Sequence, residues 1–154
     1  MSTRNDVCDQ WIYDVIDGTK QQEMILFRNA NFLIVRNIDW LDTNDISQLQ
    51  LLVIPTDKNL HTMRSLTSEH LELLNEMKEK VKDIIKEYYN LDFGKIRLYF
   101  HYRPSTFHLH IHVVALTNDV DKSSVEYSHE LHNVIFNIQM KSNYYQKIIL
   151  NIHC

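Results

Sequence analysis

The sequence predicts an α+β fold, a single domain over residues 1–154 built on an antiparallel β-sheet with one long helix and two shorter ones. Three observations carry that prediction. Apolar and polar residues alternate over residues 95–101 and again over 108–114, the period of strands with one buried face. Apolar runs at 24–27 and 32–35 are split by Arg28-Asn29-Ala30-Asn31, a short turn that joins antiparallel neighbours. From 71 to 88 the apolar positions fall instead at helical spacing.

Composition bounds the rest. A chain of 154 residues buries about two-thirds of its unfolded surface, and 44% hydrophobic and 23% charged residues with two Gly and two Pro exclude a disordered or low-complexity chain. The net charge of −4 argues against a broad basic face for long nucleic acids. A small anionic ligand held by local donors stays compatible with that charge. No apolar run approaches the roughly 18 residues of a membrane span, and Met1-Ser2-Thr3-Arg4-Asn5-Asp6 lacks the apolar core of a signal peptide. The expectation is a protein of the cytosol or nucleus, not associated with membranes. Cys8 and Cys154 stand at opposite ends of the chain and read as reduced and incidental.

Taken in order, Val7, Trp11, Val15 and Ile16 predict a first helix over residues 7–17, stopped by Gly18. The runs 24–27 and 32–35 form a hairpin; residues 37–48 are acidic and turn-rich and predict a surface loop. Residues 49–54 make a third strand, ended by Pro55. Thr67 caps the longest helix, 68–89, whose core stripe is Leu71, Leu74, Met77, Val81, Ile84, Ile85 and Tyr88. Gly94 breaks before a strand ending at His101, which is expected to pair antiparallel with 108–114 and share its polar face. A polar loop follows at 117–124. Leu131, Val134, Ile135 and Ile138 predict another helix, and residues 144–152 a closing strand.

The chemistry concentrates in His108-Leu109-His110-Ile111-His112-Val113-Val114. On a strand the three imidazoles face one way, about 6.6 Å apart, while Leu109, Ile111 and Val113 face the core. Three readings compete. Histidines that merely make a polar surface require three coincidences in register among nine histidines. Metal ligation suits imidazole, yet three successive same-face positions span about 13 Å, too far to share one ion. Attack on phosphorus uses all three: a neutral imidazole is the nucleophile and its neighbours hold phosphate oxygens. The third reading is favoured, with no metal or cofactor required.

The alternation of His and apolar residues resembles the histidine-triad (HIT) family of nucleotide hydrolases and transferases. Within it, His101-Tyr102-Arg103-Pro104-Ser105-Thr106-Phe107 and the triad, Leu66-Thr67-Ser68-Glu69-His70-Leu71 and Trp11-Ile12-Tyr13-Asp14 are similar to the C-terminal half of the scavenger mRNA decapping branch. That resemblance implies an α+β domain, usually a homodimer, which hydrolyses 5′ cap fragments (m7GpppN, as a capped dinucleotide or short capped oligonucleotide) to methylguanosine monophosphate and a nucleoside diphosphate. It makes His110 the nucleophile and His108 and His112 its phosphate-binding partners. His101 and the Ser105 hydroxyl complete the phosphate cradle, and Trp11 stacks on the methylated guanine, whose cationic ring favours an aromatic face.

Several positions depart from that branch. Gln21 stands where it has a Glu on the guanine edge, Asp39 where it has a phosphate-binding Lys, Thr106 for a Tyr and Tyr127 for an Arg, while Ile38 keeps the apolar stacking position. The branch also has an N-terminal domain that closes over the site, and nothing in these residues resembles it. An open site with weaker cap selectivity is the expectation. A HIT hydrolase of dinucleoside polyphosphates or adenosine phosphoramidates, and a non-catalytic nucleotide or cap sensor, stay open as alternatives.

Overall fold

The structure, a computed structural model, describes residues 3–102, 104, 106–118 and 128–148, and of residues 3–9 the backbone alone. Six strands form one antiparallel sheet: β1 (Ile25–Arg28), β2 (Phe32–Arg36), β3 (Gln50–Pro55), β4 (Ile96–His101), β5 (Ile111–Ala115) and β6 (Ser128–Glu130), in the order β1-β2-β3-β5-β4-β6. The helices are α1 (Thr3–Asp17), α2 (Leu71–Tyr89), α3 (Leu131–Met140) and α4 (Tyr144–Lys147).

Local chemistry sets the element boundaries. Gly18 ends α1 at φ 85°, a backbone conformation that a side chain strains, and the Arg28 guanidinium donates to the carbonyls of Val15 and Ile16 at that open end. In the predicted hairpin, the Asn29 side-chain oxygen accepts from the backbone N–H of Asn31 and Phe32, at 2.8 and 2.9 Å, and so closes the turn. Thr67 caps as expected, its hydroxyl accepting from Glu69 N–H, but the first turn, Ser68–His70, is a 3₁₀ helix, and α2 proper starts at Leu71. Asn90, at φ 50°, closes α2 with its N–H on the Ile85 and Lys86 carbonyls.

Strand alternation then sorts the core onto two faces. Phe32, Ile34, Leu51, Val53, Leu98, Phe100, Ile111 and Val113 point to one side, where Leu74, Met77, Val81, Ile84 and Ile85 of α2 and Leu131, Val134, Ile135 and Ile138 of α3 cover them. Each such side chain contributes roughly 1.5–3 kcal/mol relative to exposure. Leu33, Val35, Leu52 and Ile54 point to the other side and pack under Ile12, Val15 and Ile16 of α1. Among the described residues that second cluster draws on β2, β3 and Ile25 of β1, not on β4 or β5. On the β5–β4 half of the same face, His112 lies opposite Leu52 and Tyr99, with His101 further along β4.

Two expectations are corrected. The closing strand over 144–152 is absent from its described part: Tyr144–Lys147 is helical, and 149–152 lie outside the described residues. There the Tyr145 ring is buried and its hydroxyl takes a hydrogen bond from Asn137 at 2.8 Å, a contact between α4 and α3 that alternation does not encode. The short strand β6 was not expected. Its three residues, Ser128, His129 and Glu130, carry no strand pattern of their own and are held by pairing with β4. With α4 added, the described helices exceed the expected one long and two shorter ones, while the α+β antiparallel architecture stands as predicted.

Candidate active site

The β5–β4 wall gathers rings. His112 stacks on Tyr99, with planes 10° apart and centroids 5.2 Å apart; its centroid lies 4.3 Å from that of His101 and 5.0 Å from that of His110, which meets it edge-on. Strand pairing explains the first two contacts, because Tyr99 and His112 are direct cross-strand partners and His101 is two residues further along the same face. Tyr99 is buried and acts as the floor beneath His112, with the Arg97 guanidinium 5.9 Å from its ring centre. His101, His110 and His112 thus meet at one patch.

His108 does not join them in the expected way. Strand β5 begins only at Ile111, and the Leu109 N–H leaves the sheet register to donate to the Leu60 carbonyl at 2.8 Å. That bond draws the segment toward the 60–65 turn and rotates His108 inward. Its ring is fully buried, with Nε2 donating to the Pro55 carbonyl at 2.6 Å and the ring edge-on to Tyr13 of α1, centroids 5.6 Å apart. The strand picture of three imidazoles on one exposed face is therefore corrected: two face the patch and the first is packed beneath it.

This inward turn gives His108 a different use. Its backbone carbonyl accepts from His110 Nδ1 at 2.8 Å. A carbonyl oxygen cannot donate, so Nδ1 carries the proton and the lone pair of neutral His110 lies on Nε2, the nitrogen on the opposite side of the ring. His110 is half-buried and lines a shallow cleft together with His61, Thr62, His101, Pro104 and Thr106. The described lining holds four imidazoles and no Lys, Arg, Asp or Glu. Among the described lining residues, any positive charge offered to an anion is imidazolium.

The other expected site residues fare unevenly. Ser105 lies outside the described residues, as do Arg103 and Tyr127. Trp11 is half-buried on α1 and packs against the core cluster beneath that helix, one turn before Val15. Ile38 is 63% exposed and Asp39 is also exposed, on the loop that enters β3 at Gln50. Gln50 pairs with Val114, two residues beyond His112 on the side away from His110, so this loop enters the sheet at the far end of the histidine patch. Gln21 sits between α1 and β1 at φ 55°. Pro55, His61 and Tyr99, which the sequence did not place in the site, are built into it, as is Tyr13 of the Trp11-Ile12-Tyr13-Asp14 stretch, which packs on His108. Tyr99 was within reach, being two positions before His101 on an alternating strand. Pro55 and His61 approach from a distant segment and leave no local signal. Among the described residues, no group of three or more His, Cys, Asp or Glu is placed to hold one metal ion.

Comparison with known proteins bears on this geometry. Residues 10–128, which include the second half of α1, the triad and the cleft, match the family model described as scavenger mRNA decapping enzyme C-term binding. The chain belongs to this family. Among relatives of the decapping family, the m7GpppX diphosphatase of Rattus norvegicus is 31% identical over 142 residues, covering 90% of this chain and 42% of the relative. That of Caenorhabditis elegans is 31% identical over 144 residues, 91% of this chain and 46% of the relative. The chain thus spans less than half the length of these relatives. Among solved structures, a HIT family hydrolase from Legionella pneumophila superposes with a TM-score of 0.57 at 20% identity, covering 68% of this chain and 90% of that one. The aprataxin ortholog Hnt3 from Schizosaccharomyces pombe gives 0.61 at 13% identity, covering 88% and 78%. At those identities the likeness is one of fold, and the fold is the HIT fold.

Proposed function

We propose that this chain is a hydrolase of the scavenger decapping type, cleaving m7GpppN cap fragments to m7GMP and a nucleoside diphosphate through a nucleotidyl-histidine intermediate. The observation that carries the reading is the hydrogen bond from His110 Nδ1 to the His108 carbonyl, 2.8 Å long. It selects the tautomer whose Nε2 lone pair can attack, and it fixes the ring plane before substrate arrives.

In the proposed reaction, His110 Nε2 forms a bond to the phosphorus next to methylguanosine. The bond from that phosphorus to the bridging oxygen breaks, and its electron pair leaves on the nucleoside diphosphate. His110 becomes cationic in the adduct, and the His108 carbonyl that accepts its Nδ1–H stabilises that charge. Water then forms a new P–O bond as the P–N bond breaks, giving up a proton to solvent and releasing m7GMP and neutral imidazole. His112, held flat on Tyr99, and His101 beside it supply N–H donors for the phosphate oxygens. Trp11 takes the cationic base on its ring face. The names of the m7GpppX diphosphatases that this chain resembles support the substrate assignment. A homodimer and action in the cytosol or nucleus belong to the same proposal, and sedimentation at micromolar concentration tests the first.

Incubation with the methylated cap dinucleotide, its unmethylated counterpart and diadenosine polyphosphate is the direct test. Monophosphate release from the first, faster than from the others and abolished in His110→Ala, is the expected outcome. Equal rates on all three would leave a HIT hydrolase without cap specificity. Turnover by His110→Ala would end the imidazole mechanism.

A further inference from the structure

We propose that His61 is a substrate-binding residue of this site, its Nε2 contacting a phosphate oxygen of the nucleotide; the inference rests on reading the cleft as a phosphohydrolase site. His61 follows the last strand residue of β3 by six positions and has no place in the triad motif, yet it lines the same cleft as His101 and His110. Three hydrogen bonds fix it there. Its backbone N–H donates to Ser65 Oγ at 3.3 Å, the preceding Leu60 carbonyl accepts from Leu109 N–H at 2.8 Å, and its own Nδ1 donates to the Phe107 carbonyl at 3.2 Å. The last two bonds flank His108, so the His61 ring is tied to the segment that positions the nucleophile.

The tether also fixes the tautomer. With the proton of the neutral ring on Nδ1, Nε2 is the nitrogen on the opposite side, and His61 as a whole is exposed. On protonation that nitrogen becomes a charged donor while the tether is kept. A triphosphate bridge brings several negative charges into a cleft whose described lining contains no Lys or Arg. Of its four imidazoles, His108 is buried on Pro55 and His110 is the attacking group, leaving His61 and His101 to meet the phosphate chain.

Two substitutions separate the ring's two nitrogens. Asn places an amide near Nδ1 and can keep the bond to Phe107, whereas Gln reaches to the position of Nε2. Binding of a methylene-bridged, uncleavable cap dinucleotide to the full chain is measured by calorimetry, beside hydrolysis of the cleavable cap. His61→Asn should weaken binding about tenfold, the loss of one charge-assisted hydrogen bond, while His61→Gln stays within about threefold of the parent. The reverse order, or no effect of either, overturns the proposal and leaves His61 a loop tether. Should both weaken, the ¹⁵N resonance of His61 Nε2 decides. A shift on adding inorganic tripolyphosphate supports contact, and its absence overturns it. A parent chain that binds the analogue but releases no monophosphate sinks the hydrolase reading alone. A parent that hydrolyses the cap, with His61→Asn unchanged, sinks only the role of His61.

Discussion

His108→Ala is the substitution in which structure and motif disagree most. A phosphate-gripping histidine on an exposed strand face would cost little stability when removed, within about 0.5 kcal/mol for a surface site. Here the ring is fully buried and its Nε2 donates to the Pro55 carbonyl at 2.6 Å. Truncation leaves that carbonyl without its donor, about 1–3 kcal/mol. It also empties the space beside Tyr13, where removal of a buried ring costs roughly 3 kcal/mol at the low end of aromatic truncations. Together these give about 4 kcal/mol, or a fall in Tm on the order of 10 °C for a domain of this size. Activity falls as well, because the backbone carbonyl of residue 108 itself orients His110 and loses its anchor when the ring is removed, and a misplacement near 1 Å costs about 10²-fold. His108→Gln, which can offer an amide N–H to Pro55, should recover most of the Tm and part of the activity. Thermal unfolding followed by circular dichroism, with cap hydrolysis on the same samples, checks both. A Tm loss under about 2 °C in His108→Ala, with activity gone, would refute the buried role and return His108 to the phosphates.

Other outcomes follow from neighbouring contacts. Trp11→Leu keeps an apolar side chain over the α1 cluster but removes the aromatic face; the ratio of kcat/KM for methylated over unmethylated cap should fall about tenfold, the worth of a cation–π contact, and an unchanged ratio would detach Trp11 from the base. Arg64→Met removes hydrogen bonds to Tyr102 Oη (3.0 Å), the Tyr145 carbonyl (2.8 Å) and the Ile148 carbonyl (3.1 Å), which join the 60–65 turn to β4 and α4; urea denaturation should register a loss of about 2–3 kcal/mol, and no change in midpoint would show these bonds contribute nothing net. Burial of His129 opposite Phe100 pushes its pKa below the ordinary 6.5, so the fold prefers the neutral ring. The stability this gives is present above pH 6.5 and is lost as pH falls below it, since the unfolded chain then binds the extra proton. His129→Gln should flatten the fall in stability on the acid side of pH 6.5, and an unaltered slope would remove His129 from that dependence.

The sequence revealed what depends on neighbours along the chain. The hairpin at Asn29, the cap at Thr67, the core stripe of α2 and the pairing of the His101 strand with the triad strand all follow from spacings of a few residues. What it hid depends on contacts across the chain. Alternation in 108–114 promised a strand from its first histidine, but the Leu60 carbonyl, 49 residues upstream of Leu109, captures the Leu109 N–H and delays β5 to Ile111. One long-range hydrogen bond thereby changes what the motif means. A strand with three equivalent imidazoles would have no reason to choose a nucleophile among them. Bending the first inward makes them unequal: His108 surrenders its ring to Pro55 and offers its carbonyl to His110, His110 gains a fixed tautomer, and His112 stays on the sheet against Tyr99. The same bend brings Phe107 within reach of His61 and so adds an imidazole to the cleft that the motif does not contain. The division of labour in the triad is thus set by the 55–65 segment as much as by the triad itself, and substitutions at Leu60 or Pro55 that disturb those carbonyls should alter catalysis without touching a histidine.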